Sequence, residues 1–219
     1  MTKQEVRARI EEIGIIPALR VHSAEDALFA AEAVARSGIP IVEVTMTVPG
    51  ALDVIAKLVQ KTPGVLVGAG TVLDLGWARR CLDAGAMFLT SPGLDLAIVD
   101  FGASQDVAVL PGALTPTEVI AAAKAGADFI KIFPCGQVGG PAYIRALKSP
   151  FPELRFIASG GVNQVTAADY IVAGATAVGI GADLIHRDAI KRREDGWIAE
   201  LSRRYVSMVG QAREQLRAN

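Results

Sequence analysis

Two charged residues stand in apolar company. Lys131 lies inside DFIKIFP (residues 128–134) and Glu43 inside IVEVTM (41–46). The β-branched and aromatic neighbours mark both runs as strands. Side chains alternate along a strand, so Phe129, Lys131 and Phe133 share one face, as do Ile41, Glu43 and Thr45. Charges inside buried strands are rare. One explanation is a structural ion pair, although desolvation offsets most of the attraction in such a pair. The other is chemistry. Desolvation disfavours an ammonium ion, and a free amine attacks a ketone to form a Schiff base. A carboxylate beside it can carry the protons that dehydration and α-carbon chemistry require. Lys131 as nucleophile and Glu43 as general acid/base therefore suffice for imine-based cleavage of a carbon–carbon bond. Lys3, Lys57, Lys61, Lys124, Lys148 and Lys191 fall in polar or helical segments and lack this setting.

Elements of a particular kind must bring these two residues together. Eight short apolar runs are candidate strands: 15–20, 41–46, 66–71, 87–92, 107–112, 129–134, 155–161 and 177–182. Amphipathic, Ala-rich segments separate them. The segment 23–38 opens at Ser23 and stops at Gly38, both good cap residues. The segment 115–126 has Thr115 before Pro116, an N-cap followed by Pro at the first helical position. The turns DAGAMF (83–88), KAGADF (124–129) and VAGATA (172–177) repeat one helix-to-strand connection. Eight strand–helix units predict an α/β fold, a closed parallel (β/α)8 or TIM barrel, with an extra N-terminal helix over 2–12. A doubly wound open sheet is the alternative, but it would gather reactive residues near one switch point. A long helix is expected over about 195–217. No linker interrupts the rhythm, so residues 1–219 read as a single domain.

Composition narrows the classes. About half the residues (51%) are hydrophobic, enough for a large core. The 22 Lys+Arg balance 23 Asp+Glu, which argues against a nucleic-acid binder working through a basic surface. The mixed run HRDAIKRRED (186–195) reads as a solvated helix or loop. Cys81 and Cys135 are the only cysteines and fit a reduced, cytoplasmic setting; Cys135 reads as an inert thiol. The N-terminus lacks a signal peptide's apolar stretch, and no run is apolar enough to span a bilayer. GxGxxG, P-loop and HExxH patterns are absent. The expected chemistry uses no metal or cofactor, and the expected partner is a small-molecule substrate.

Strand ends supply binding groups. Arg20 ends the first strand. GAGT (68–71) brings small residues and the Thr71 hydroxyl. Ser159, Gly160 and Gly161 end the seventh strand, and Gly181 and Ala182 the eighth. In a barrel these last two ends are the expected place for a phosphate. His22 and His186 are isolated, and surface placement is expected for His22.

Six motifs in order, VEVTMTVPGA (42–51), VGAGTV (67–72), TSPGL (90–94), PGALTPTE (111–118), FIKIFP (129–134) and SGGV (159–162), resemble the 2-keto-3-deoxy-6-phosphogluconate (KDPG) and 4-hydroxy-2-oxoglutarate (KHG) aldolase family. The likeness runs from about residue 10 to residue 185. It implies a metal-free class I aldolase on a (β/α)8 barrel, usually a homotrimer. It implies Lys131 as the Schiff-base lysine, Glu43 as the acid/base and Thr71 on the pyruvate carboxylate. Pro92 and Phe133 would line the pocket, and Gly160 and Gly161 would hold a distal phosphate. The products would be pyruvate and glyceraldehyde 3-phosphate, as in the Entner–Doudoroff pathway. Two positions depart from the pattern. Thr47, expected with Arg20 among the substrate-binding residues, stands where some members carry a carboxylate-binding Arg; Arg20, where others place theirs, is the expected carboxylate partner. Ala182 stands where many members have Ser, which leaves 4-hydroxy-2-oxoglutarate or the 6-phosphogalactonate epimer as alternative substrates. A phosphosugar isomerase or epimerase and a non-catalytic oligomeric binding protein are the competing readings.

Overall fold

The structure, a computed structural model, describes residues 1–218. Nine strands follow in chain order: β1 (Ile15–Leu19), β2 (Ile41–Thr45), β3 (Leu66–Gly70), β4 (Phe88–Thr90), β5 (Ala108–Leu110), β6 (Gly112–Ala113), β7 (Ile130–Ile132), β8 (Phe156–Ser159) and β9 (Ala177–Ile180). The helices before β6 are α1 (Lys3–Ile13), α2 (Ala24–Arg36), α3 (Ala51–Lys61), α4 (Leu75–Asp83) and α5 (Leu96–Ser104). Those after it are α6 (Pro116–Lys124), α7 (Pro141–Lys148), α8 (Ala167–Val172), α9 (Arg187–Arg192) and α10 (Asp195–Ala218).

Every ladder is parallel, and the strand order is β5-β4-β3-β2-β1-β9-β8-β7-β6. The two ends of that order, β5 and β6, are halves of one strand interrupted at Pro111. The sheet is therefore a nearly closed barrel, the expected (β/α)8 architecture with one strand split. The split has a local cause. Proline has no N–H to donate to a ladder. At Gly112 the chain after β4 also crosses so closely that a Cβ would overlap the Pro92 backbone, and the Gly112 N–H bonds Gly93 O at 3.1 Å.

The N-caps read in the sequence, Ser23 and Thr115, are in place, whereas the C-cap of α2 is Ser37, one residue before the expected Gly38. Thr2 and Thr115 each form a capping box, with Glu5 and Glu118. Each box satisfies two otherwise unpaired amides at the start of its helix. Ser23 caps α2 by accepting from the Asp26 N–H. The apolar faces these caps orient are buried: Ala27, Ala30, Ala31 and Val34 of α2 pack inward.

The extra helix α1 closes the end of the barrel where strands begin. Asp128, just ahead of β7, is held by Lys3 at 3.0 Å and Arg7 at 3.5 Å, and it accepts from the Val109 N–H. Its side chain is only 4% exposed, so two cations and an amide together offset its desolvation. Arg213 of α10 reaches the same end and donates to the carbonyls of Glu11, Glu12 and Thr176. The two terminal helices thus stabilise the end opposite the strand C-termini. Among the described residues, no helix is long and apolar enough to cross a membrane.

Candidate active site

Lys131 is the central residue of β7, and its neighbours in the strand take the opposite face. Ile130 and Ile132 are buried against the surrounding helices, while the ammonium Nζ lies 5.5 Å from the centre of the Phe133 ring. Glu43 is the central residue of β2. Its Oε2 lies 3.7 Å from Lys131 Nζ, and the two side chains are 6% and 12% exposed. A carboxylate and an amine from opposite sides of the barrel therefore meet inside it.

Small residues make the meeting possible. Ala18 of β1 and Gly68 of β3 flank Glu43 in register. The space over Gly68 is filled by the Phe88 ring, and the space over Gly70 by the Glu43 carboxyl itself. A side chain at either position would displace what now stands there.

The pair opens into a cavity of about 1030 Å³ at the C-terminal ends of the strands. That is the end at which barrel enzymes carry their active sites. Thr71, Pro92 and Phe133 line it beside the pair. Thr71 directly follows β3 with φ +58°, a left-handed conformation that a β-branched residue rarely adopts. Such strain persists where surrounding structure holds it and concentrates at functional sites. Arg20, at the end of β1, also lines the cavity. Ser159, Gly160, Gly161, Gly181 and Ala182 form its wall at the ends of β8 and β9. Gly160 (φ +79°) and Gly161 (φ +90°) turn the chain against Pro134 and Gly136, with room for no Cβ.

The chain as a whole is similar to known proteins. Residues 6–201 fit the sequence model of the "KDPG and KHG aldolase" family. The chain belongs to this family. It is 31% identical to the 2-dehydro-3-deoxy-phosphogluconate aldolase of Treponema pallidum over 92% of this chain and 96% of that one. It is 36% identical to a probable 2-dehydro-3-deoxy-6-phosphogalactonate aldolase of Rhizobium meliloti, over 78% and 81% respectively. A solved KDPG aldolase from Legionella pneumophila superposes with a TM-score of 0.85 at 30% identity, over 90% of this chain and 96% of that one. That crystal holds pyruvate as a covalent carbinolamine intermediate.

Several residues of this aldolase-family chain fall elsewhere than the sequence implied. Thr47 is exposed and is not part of the cavity lining; its hydroxyl pairs with that of Thr45, whose own hydroxyl donates to Leu19 O. The chain turns after β2, with the Val48 N–H donating to Thr45 O, and the strand-end arginine that lines the cavity is Arg20, at the end of β1. His22 is exposed as expected, yet it edges the cavity. The run 186–195 is more than a solvated helix: Arg187, Lys191 and Arg193 all line the cavity. Cys135 is buried, and burial pushes its thiol up to about 11, in keeping with an inert role. Burial also lowers the pKa of Lys148, but its ammonium is tied to the carbonyls of Pro152 and Leu154 outside the cavity.

Proposed function

We propose that the chain is a class I aldolase that cleaves a 2-keto-3-deoxy sugar acid through a Schiff base on Lys131. The observation that carries this reading is the 3.7 Å approach of Lys131 Nζ to Glu43 Oε2 at the mouth of the barrel. The favoured substrate is 2-dehydro-3-deoxy-6-phosphogluconate, with pyruvate and glyceraldehyde 3-phosphate as products. The identity to the Rhizobium meliloti relative supports the galactonate epimer as the second candidate.

The steps follow from the two groups. Glu43 takes a proton from the Lys131 ammonium, and the amine adds to the C2 carbonyl. Glu43 returns a proton to the carbinolamine oxygen, which leaves as water and gives a protonated imine. The carboxylate, again ionised, removes the proton of the C4 hydroxyl. The C3–C4 bond then breaks, its electrons pass to the imine nitrogen as an enamine, and the aldehyde departs. Glu43 protonates C3, and water hydrolyses the imine to release pyruvate. The imine nitrogen serves as the electron sink throughout. Arg20 and Thr71 would hold the carboxylate beside C2, with Arg20 able to grip it through two hydrogen bonds. Pro92 and Phe133 would wall the reacting carbons. Ser159, the glycines at 160, 161 and 181, and Ala182 would face the far end.

Pyruvate with borohydride is expected to add one reduced pyruvyl group per chain, located on Lys131 by peptide mass mapping, and EDTA is expected to leave turnover intact. Labelling at Lys148 instead, or loss of activity to the chelator without an adduct, would overturn the assignment.

The same reading takes residues 1–219 as one domain working in the cytoplasm as a homotrimer. Apolar Leu73, Val138 and Val165, exposed on segments that follow strand ends, support an interface on that side. Sedimentation at three times the 22.9 kDa chain mass is the expected result; a monomer would refute the trimer.

A further inference from the structure

The cavity carries more positive charge than the chemistry at Lys131 uses. Arg20, Lys131, Arg187, Lys191 and Arg193 all line it. Lys131 is paired with Glu43. Arg193 holds Glu25 and Asp26 of the α2 helix, each at 3.0 Å. Among the described residues, Arg20, Arg187 and Lys191 form no ion pair, and of the cavity's carboxylates Asp183 alone is without a cation. Three unpaired cations thus face one unpaired carboxylate.

The placement of this surplus gives it a purpose. Arg187 and Lys191 are four residues apart on α9 and share one helix face. Ala189 and Ile190 bury a different part of the same helix in the core. α9 follows β9 through a turn in which the N–H groups of Leu184 and Ile185 both donate to Gly181 O, at 3.1 and 3.0 Å. At its other end Arg193, left-handed at φ +56°, ties it to α2. α9 is therefore anchored at both ends, with its basic residues on the cavity wall that Gly160, Gly161 and Gly181 also form.

We propose that Arg187 and Lys191 are specificity-determining residues that clamp the distal anionic group of the substrate. This rests on the aldolase reading, because distal means the end away from the carbon that forms the imine. A 2-keto acid carries one carboxylate beside that carbon, which the aldolase reading assigns to Arg20 and Thr71. A second anion at the far end of the molecule meets α9. Ala182 has no side-chain donor there, and the two cations supply charge-assisted donors in its place. A sugar acid without the distal anion would leave both unused.

The test compares pyruvate release from 2-keto-3-deoxygluconate, its 6-phosphate and 4-hydroxy-2-oxoglutarate. The quantity read is the ratio of kcat/KM for the 6-phosphate to that for the non-phosphorylated acid, which lacks the distal anion. Arg187→Ala/Lys191→Ala is expected to lower this ratio about 10- to 100-fold. Both side chains are exposed, so the variant is expected to fold. In the unaltered chain the ratio is expected to fall with added NaCl, because exposed charges are screened. Arg203→Ala, which removes a cation on α10 outside the cavity, is expected to leave the ratio in place. A parallel loss for 4-hydroxy-2-oxoglutarate would show that the clamp reads charge; its sparing would show that it reads phosphate. A ratio unmoved in the double variant overturns the proposal. If borohydride and pyruvate label Lys131 while the ratio stands still, the clamp alone is wrong. If the unaltered chain takes no label, the aldolase reading falls and the clamp with it.

Discussion

Lys131→Met is expected to abolish turnover while the barrel stays folded. Methionine keeps the bulk and the unbranched stem but cannot form an imine, so no later step has an electron sink. Loss of a nucleophile on which every step depends lowers kcat by about 10⁴-fold or more. The cost to the fold is smaller and has a different origin. Glu43, 6% exposed, is left without its partner, and a buried carboxylate stripped of its cation destabilises the fold by about 3–5 kcal/mol. The two effects separate in Lys131→Met/Glu43→Gln. Removing the carboxylate's charge is expected to recover part of the lost Tm and none of the turnover. An ion pair with only a structural role predicts that Lys131→Met lowers the Tm and leaves ligand affinity largely intact. Pyruvate-release assays and thermal melts on the three proteins tell these apart, and residual turnover above a hundredth of the starting rate would refute an obligatory imine.

Much of this site was legible because its two central residues break a rule. A strand of alternating apolar residues has a predictable inner face, and Lys131 and Glu43 violate it in the same direction. The N-caps Ser23 and Thr115 were equally readable, since each acts through a hydrogen bond to the residue three positions on. The elements were right in kind and order but shorter than their apolar runs. The run 107–112 broke at Pro111, and Thr71 fell outside β3 because its backbone turns left-handed. No local propensity places a β-branched residue there; the crowded top of the barrel does. The basic face of α9 was hidden for another reason. Spacing puts Arg187 and Lys191 on one side of a helix, but a solvated face and a cavity wall have the same composition. Only the docking of α9 between β9 and α2, through Gly181 and Arg193, distinguishes them. Thr47 shows the converse: adjacency to a strand end did not bring it into the cavity, and its hydroxyl pairs with that of Thr45 where the chain turns after β2.

Gly70→Ala is expected to cost nearly as much activity as Glu43→Gln, although it adds a single methyl group and removes no functional group. The Gly70 backbone lies in β3 and does not need glycine's left-handed freedom, so the substitution acts through space alone. A Cβ at this position would overlap the carboxyl end of Glu43. Cδ and Oε1 are the movable end of a long side chain, so the carboxylate yields before the sheet does. The displaced group lies farther from the protons it must carry, and a lost general acid/base lowers kcat by about 10²- to 10⁴-fold. A double variant identifies the route. If Gly70 matters only by leaving room for that carboxylate, Gly70→Ala/Glu43→Gln loses no more than Glu43→Gln alone, because both changes remove the same function. Losses that multiply would mean that the methyl group disturbs the cavity by another path, and a Gly70→Ala enzyme with full kcat would mean that Glu43 does not work from where it now stands.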